Sequence, residues 1–372
     1  MALSEPRPLS LIPGLKPLSI GNVYVGFPAI QAPLSGYSDR PQRHVTQNLY
    51  QSVGSFPEYE SLPAEWRTSI LGAAATVAEV MLDQFVLSVK KSVKVNQRMG
   101  LESSDHPCGA QIMGAFPEDF PPAALRLVKS GFDWIDLNFA CPVKKVLGRK
   151  RGGYLLSEPE TALEMITRTR NALPDNVPLT IKLRKGYDDT PESEDNFYRL
   201  LEGAIAIGVD AVAVHGRTVL QRYTGVADWS FLKRVKSEFP NLVLLGCGDL
   251  FSAQTCVDRI LSSGVDGVCI ARGAIGNPWI FPAFNALAMG FPPLQEPSLK
   301  EQGVFLAEHF NRCVELYGEK RTCSIIRKFG IKHALTHPKK EELVVRFATV
   351  KSRANWFAIL NEFYDGEYPV NA

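Results

Sequence analysis

The stretch that decides the fold is VLLGCGDLFSAQTCVDRILSSGVDGVCIARG, Val243–Gly273. It opens on one apolar run, Val243–Asp249, and closes on another, Gly267–Gly273. Both are apolar almost throughout, as a parallel strand covered on both faces must be. Between them, Ser252–Ser263 carries helical spacing, and Gly264 stands just past its end. A helix commonly terminates there on a left-handed residue, which glycine adopts without a Cβ clash. The stretch therefore reads as strand, returning helix, parallel strand.

The same unit recurs upstream. Candidate strands are Ala29–Ser35, Ala75–Met81, Cys108–Gly114, Trp134–Ala140, Leu179–Arg184 and Ala211–Arg217, which with the two above make eight. Candidate helices are Pro121–Ser130, Pro159–Leu173 and Asn196–Ile207, punctuated by early prolines and terminal glycines. Eight β-α repeats predict an α/β fold, a closed (β/α)8 TIM barrel. An open doubly wound sheet is the alternative, but no GxGxxG follows the first strand. Two decorations stand out. Residues of about 46–72 form a long insertion, and no further β-α unit follows residue 298. Helical periodicity there, over Gln302–Tyr317 and Leu343–Tyr364, predicts a small C-terminal helical domain behind the linker Gly290–Pro297. The expected organisation is an N-terminal segment (1–20), a barrel (21–289) and a helical domain (298–372).

Composition sets the class. With 45% hydrophobic and 22% charged residues over 372 positions, the chain is neither disordered nor fibrous. No run approaches about 18 apolar residues, so no membrane span is expected. The start, MALSEPRPLSLIPG, lacks the basic-then-apolar layout of a secretory signal. Seven cysteines, an odd number with no CxxC, fit a reducing cytoplasm better than a disulfide scaffold. A net charge of +2 implies no polyanionic partner by itself.

Function in such a barrel gathers at the C-terminal strand ends. Here those ends carry Ser35, Glu79, Gln111, Asn138 with Cys141, Lys182 with Arg184, His215 with Arg217, Asp249 and Arg272. The last two, Gly248-Asp249 and Ala271-Arg272-Gly273, occupy the barrel's usual phosphate position. Lys182 lies in an apolar strand and needs an anionic partner: Glu79, Asp136 or an electron-rich ligand. His215 reads as a core or a site histidine. Cys141 reads as inert packing or as a general acid, since an ordinary thiol is mostly protonated at neutral pH. No Cys or His stands near enough in sequence to suggest a metal. Beyond Cys141, the residues Lys144, Lys145, Arg149, Lys150 and Arg151 put five bases in eight positions. A second block, from Lys320 to Lys340, holds seven bases, among them Arg327, Lys328 and Lys332, and no acid. Together the blocks point to nucleic-acid phosphate.

Several segments resemble one family. Ala32–Pro41 (APLSGYSDRP) resembles the opening of the tRNA-dihydrouridine synthases. QIMG at Gln111–Gly114, IDLNFACPVKKV around Cys141, TIKLRKG at Thr180–Gly186 and VHGRTVLQRYTGVADW at Val214–Trp229 are similar to the same family. So are GDLFSA at Gly248–Ala253 and ARGAIGNPWIF at Ala271–Phe281. KKVLGRKRGGYLL looks closest to the bacterial B-type members. The resemblance implies an FMN oxidoreductase that reduces the C5–C6 double bond of uridines in tRNA, or in another structured RNA, with NADPH. It implies that Pro33, Leu34, Ser35, Gln111, Lys182, His215, Cys247, Gly248, Asp249, Ala271 and Arg272 hold the flavin. It assigns the uracil to Asn138, Arg184 and Tyr223, and the proton to Cys141. A monomer is expected.

The sequence departs from the family in places. Cys247 stands where the family usually has Asn, Ala140 replaces Gly, and Leu34, Ser35 and Gln42 replace Met, Ala and Phe. A small-molecule FMN reductase and an inactive RNA-binding barrel are the alternative readings. Which uridine is modified, and whether NADPH or NADH serves, is not written in these motifs.

Overall fold

The computed structural model describes residues 10–49, 72–88 and 97–369. Most of the predicted insertion at 46–72 lies outside the described residues. A hairpin, β1 (Leu18–Ile20) and β2 (Val23–Gly26), precedes the barrel strands. These are β3 (Ala29–Gln31), β4 (Thr76–Val77), β5 (Met81–Leu82), β6 (Cys108–Met113), β7 (Trp134–Asn138), β8 (Leu179–Arg184), β9 (Ala211–His215), β10 (Leu244–Cys247) and β11 (Gly267–Ile270). Every pairing among them is parallel, and β4 against β6 closes the ring through Thr76↔Cys108 and Val77↔Gly109. The fold is the TIM barrel expected.

The predicted strand Ala75–Met81 is two short pieces, β4 and β5, both paired to β6. Between them the chain leaves the ladder. The Glu79 amide donates to the Ser38 carbonyl (3.3 Å), and the Glu79 carboxylate accepts from the Gly36 amide. The residue between the two pieces therefore ties down the loop after β3.

Ile30, Ala32, Ala75, Val77, Ala211, Ala213 and Leu245 line the barrel interior, which the hairpin plugs with Leu18, Ile20 and Val25 around Trp134. Trp134 is fully buried, and a Cβ at Gly109 would fall 2.3 Å from its indole. The surrounding helices bury one stripe each; Ala123, Ala124 and Leu127 are the inner face of Phe120–Lys129. Each large apolar side chain so covered contributes roughly 1.5–3 kcal/mol. The helix expected at Asn196–Ile207 starts earlier, at Pro191, where the Thr190 side chain accepts from the Ser193 amide; it ends on left-handed Gly208. Its polar first turn, PESED, hid this start.

Beyond residues 291–298, which lack regular structure, five helices follow: Leu299–Tyr317, Glu319–Ile325, Arg327–Ala334, Lys340–Ala348 and Arg353–Phe363. The single helix expected at Leu343–Tyr364 is two, because Ser352 caps a new start at Arg353. Phe305, Phe310, Phe347, Trp356 and Leu360 form their core, which reaches Val45 and Trp279 of the barrel. No helix among the described residues is long and apolar enough to cross a membrane.

Two buried histidines here, His309 and His333, have no hydrogen-bond partner on either ring nitrogen. Burial pushes both down to about 3, and His215 in the barrel to about 2. The unfolded chain takes up these protons near pH 6.5, while the folded chain refuses them. Their contribution is complete above that pH and is lost as pH falls. Each weakens the fold by up to about 1.4 kcal/mol per pH unit below 6.5. Asp39, which burial raises to about 6, acts the opposite way between 6 and 3.8. Urea titrations at pH 7 and pH 5 are expected to show clearly lower stability at pH 5. Equal stability would contradict the neutral state of these imidazoles.

Candidate active site

A cavity of about 270 Å³ opens at the C-terminal end of the barrel. Its wall is built strand by strand. Pro33, Leu34 and Ser35 follow β3, Gln111 comes from β6, and Asn138 with Cys141 from the end of β7. Lys182 and Arg184 come from β8, His215 from β9, Cys247 to Asp249 from β10, and Ala271 and Arg272 from behind β11. Tyr223 descends from the loop after β9. The cavity thus brings together every cofactor, substrate and catalytic residue singled out from the sequence.

One chain of hydrogen bonds fixes the β6–β8 side. Asp136 accepts from Gln111 Nε2 and from Thr180 Oγ1, both at 2.6 Å. Gln111 Oε1 accepts from Asn138 Nδ2 at 2.7 Å. Asn138 Oδ1 in turn accepts the amides of Ala140 and Cys141, each at 3.0 Å. The Asn138 amide therefore holds the cysteine turn and keeps one N–H for a ligand. Sequence reasoning offered Asp136 only as a partner for Lys182. The signal for its wider role is a single carboxylate inside an apolar strand, WIDLN.

Cys141 is partly exposed, and burial raises its thiol pKa above the usual range. It is an acid, not a thiolate, at neutral pH. Gly152 and Gly153 pack against it: a Cβ on Gly152 would lie 2.8 Å from the Cys141 Cβ, and the Gly153 amide donates to its carbonyl at 3.1 Å. The basic loop Lys144–Arg151 is therefore anchored on the cysteine. Lys144, Lys145, Arg149 and Lys150 are exposed; Arg151 is half-buried.

Lys182 does not pair with Glu79. Its Nζ donates to Cys247 Sγ at 3.0 Å. Burial alone would lower its pKa, but the neighbouring sulfurs of Cys247 and Cys269, and Asp136, raise it overall. Arg184 is buried and pinned by the carbonyls of Ala140 (2.9 Å), Thr218 (2.9 Å) and Arg222 (2.8 Å). His215 Nδ1 accepts from the Arg217 amide at 3.2 Å. Burial and then the cations Arg184, Lys182, Arg217 and Arg272 hold the imidazole neutral, so its proton is on Nε2.

The β10–β11 side is a cationic cradle. Gly248 and Asp249 both have left-handed φ, +119° and +52°, so the chain turns sharply as it leaves β10. The Asp249 carboxylate is occupied by Arg217, which grips it at 2.9 and 2.7 Å. Asp249 thus offers backbone rather than charge to a ligand. Arg272 lies 4.5 Å over the Tyr223 ring. Arg217 went unassigned in the sequence, where HGR reads only as polar company for His215.

In the C-terminal basic block, two of the three bases singled out reach backbone carbonyls. Arg327 Nε donates to the Val350 carbonyl at 2.7 Å. Lys328 Nζ reaches the Gly36 carbonyl and lies 5.1 Å over Tyr37. Lys332 is half-buried. Lys320, Arg321, Lys339 and Lys340 of the same block are exposed. Among the described residues, no group of three or more His, Cys, Asp or Glu is arranged to hold a metal.

The chain matches the dihydrouridine synthase family from residue 30 to residue 362. It belongs to that family. A probable tRNA-dihydrouridine synthase of Rickettsia conorii is 28% identical over 84% of this chain and 85% of its own length. One from Mycobacterium tuberculosis is 27% identical over 99% and 89%. One from Mycobacterium leprae is 32% identical over 71% and 68%. Among solved structures, the fold resembles 6-hydroxypseudooxynicotine amine oxidase from Pseudomonas geniculata N1. That likeness has a TM-score of 0.53 at 13% identity, over 74% of this chain and 49% of the other. A morphinone reductase variant in complex with tetrahydroNAD gives 0.51 at 15% identity, over 77% and 93%. Both likenesses show the fold alone.

Proposed function

We propose that this dihydrouridine synthase family member reduces the C5–C6 double bond of uridines in tRNA, with FMN as its cofactor and NADPH as its reductant. The carrying observation is the convergence of an acidic thiol, a buried ammonium and a cationic cradle on one cavity. The donor set fits a flavin mononucleotide. Gly248, Asp249 and Arg272 offer amides and a cation for its phosphate, and Gln111 and Lys182 offer donors for the electron-rich ring edge. A Cβ on Gly248 would strike Ala227 at 2.5 Å, so the cradle needs its glycine.

The bound flavin would supply hydride to uracil C6. The residues of the chain do the rest. Cys141, kept protonated, gives its proton to C5, where negative charge builds. Arg184 and the free N–H of Asn138 orient the base; Tyr223 closes the cavity over it. His215 donates only through Nε2 and adds no charge. Asp136, through Gln111 and Asn138, sets the position of the Cys141 turn. The base must leave its stack, at a cost of a few kcal/mol, and the exposed basic loop beside Cys141 would grip the flanking phosphates.

Replacing Lys144, Lys145, Arg149 and Lys150 by Gln is expected to raise the KM for tRNA steeply at moderate salt. The log–log salt dependence of tRNA binding should flatten by about 0.7–0.9 for each phosphate no longer neutralised. Binding titrations across a salt series check this. An unchanged slope would remove the loop from the RNA surface.

A further inference from the structure

Cys247 ends β10 and Cys269 lies in β11. The register between the strands runs Leu245↔Gly267, Gly246↔Val268, which brings the two cysteines abreast one step further on. Residues abreast on parallel neighbours point to the same face. The strands lie about 4.7–4.9 Å apart, inside the range of about 4.4–6.8 Å between Cα atoms that a disulfide spans. Both side chains face the barrel interior and both border the cavity, so a small solute can reach them.

The two sulfurs are not equivalent. Cys247 Sγ lies 3.0 Å from the Lys182 ammonium, and a cation at that distance favours the thiolate. The neighbouring Cys269 thiol favours the thiolate of Cys247 further, and its own pKa is raised by that sulfur. By contrast, Cys256 and Cys141 are pushed up by burial. The arrangement is a nucleophilic thiolate beside a protonated thiol, with neither used in the chemistry proposed above.

We propose that Cys247 and Cys269 form an oxidisable dithiol in the cavity wall, which a hydroperoxide converts to a disulfide. The Cys247 thiolate attacks the terminal peroxide oxygen; the S–O bond forms, the O–O bond breaks, and the departing alkoxide takes a proton from solvent to leave as alcohol, or as water from hydrogen peroxide. Cys247 is then a sulfenic acid. The Cys269 sulfur attacks it, its proton joins the hydroxide that leaves, and one water is released as the S–S bond closes. Two electrons pass from the sulfurs to the peroxide oxygen. The disulfide carries no charge, so Lys182 loses its anionic partner. The effect of that loss on a bound flavin rests on the function proposed above; the dithiol itself does not.

The full chain, as purified, is treated with a few equivalents of hydrogen peroxide, quenched, alkylated in denaturant and mapped by mass spectrometry. The expected result is loss of alkylation at both cysteines and a linked peptide pair containing Cys247 and Cys269. In Cys269→Ser, the link disappears and Cys247 becomes reactive toward dimedone. Should that variant fail to fold, the wild-type chain carries the test with phenylarsine oxide, which joins two neighbouring thiols with loss of water. One equivalent should then protect both cysteines from alkylation. Full alkylation of both after peroxide, or oxidation confined to Cys141, overturns the proposal. The readout is thiol chemistry, so a chain that failed to reduce uridine would still pass or fail it independently.

Discussion

Cys141→Ala is expected to lower dihydrouridine formation by about 10²–10⁴-fold, the span that a positioned general acid contributes, while leaving flavin binding unchanged. The reason is geometric. The Cys141 turn is fixed through backbone amides to Asn138 Oδ1 and through its carbonyl to Gly153, so loss of the sulfur leaves the turn in place. Desolvation keeps the thiol protonated beyond the usual thiol range, so the wild-type rate should stay level through neutral pH and fall only on the alkaline side. Cys141→Ser keeps shape but offers a weaker acid, and most of the defect should remain. Single-turnover conversion of tRNA lacking the modification, followed beside the flavin absorbance, measures both quantities. Near wild-type conversion by the alanine variant would remove the thiol from the chemistry.

Lys182→Met should weaken FMN retention by about 10- to 100-fold. A charge-assisted hydrogen bond contributes roughly 1.5–3 kcal/mol, and each 1.4 kcal/mol is about tenfold in affinity. Methionine has similar length and no charge, so the barrel interior stays filled. The variant also deprives Cys247 of its cation, and the thiol should return toward an ordinary, slower reaction with alkylating agents. Fluorescence titration of the flavin-free chain with FMN reads the first effect. Unchanged affinity would place the ammonium away from the cofactor.

The barrel was readable because its signal is local. Apolar runs such as GVCI and AVAV are long enough to name a strand, and Gly208 and Gly264 mark helix ends that the structure closes with left-handed residues. The strand-end residues were readable for the same reason: once the strands are placed, their ends converge by topology. What escaped was set by contacts distant in sequence. The split of β4 from β5 follows from Glu79 reaching Gly36 and Ser38. Asp136 looks like one more strand residue until Gln111 and Thr180 are seen to share it. Lys328 reads as one more base in a linear run until the Gly36 carbonyl and Tyr37 appear beside it. The Cys247–Cys269 juxtaposition, 22 residues apart in the chain, needs a register between strands that no motif states.

The most direct test of the account is position-resolved mass spectrometry of tRNA that lacks dihydrouridine, after incubation with the FMN-loaded chain and NADPH. Discrete uridines should each gain two hydrogens, and only when both flavin and reductant are present. Tight flavin binding and NADPH oxidation with no uridine altered would contradict it.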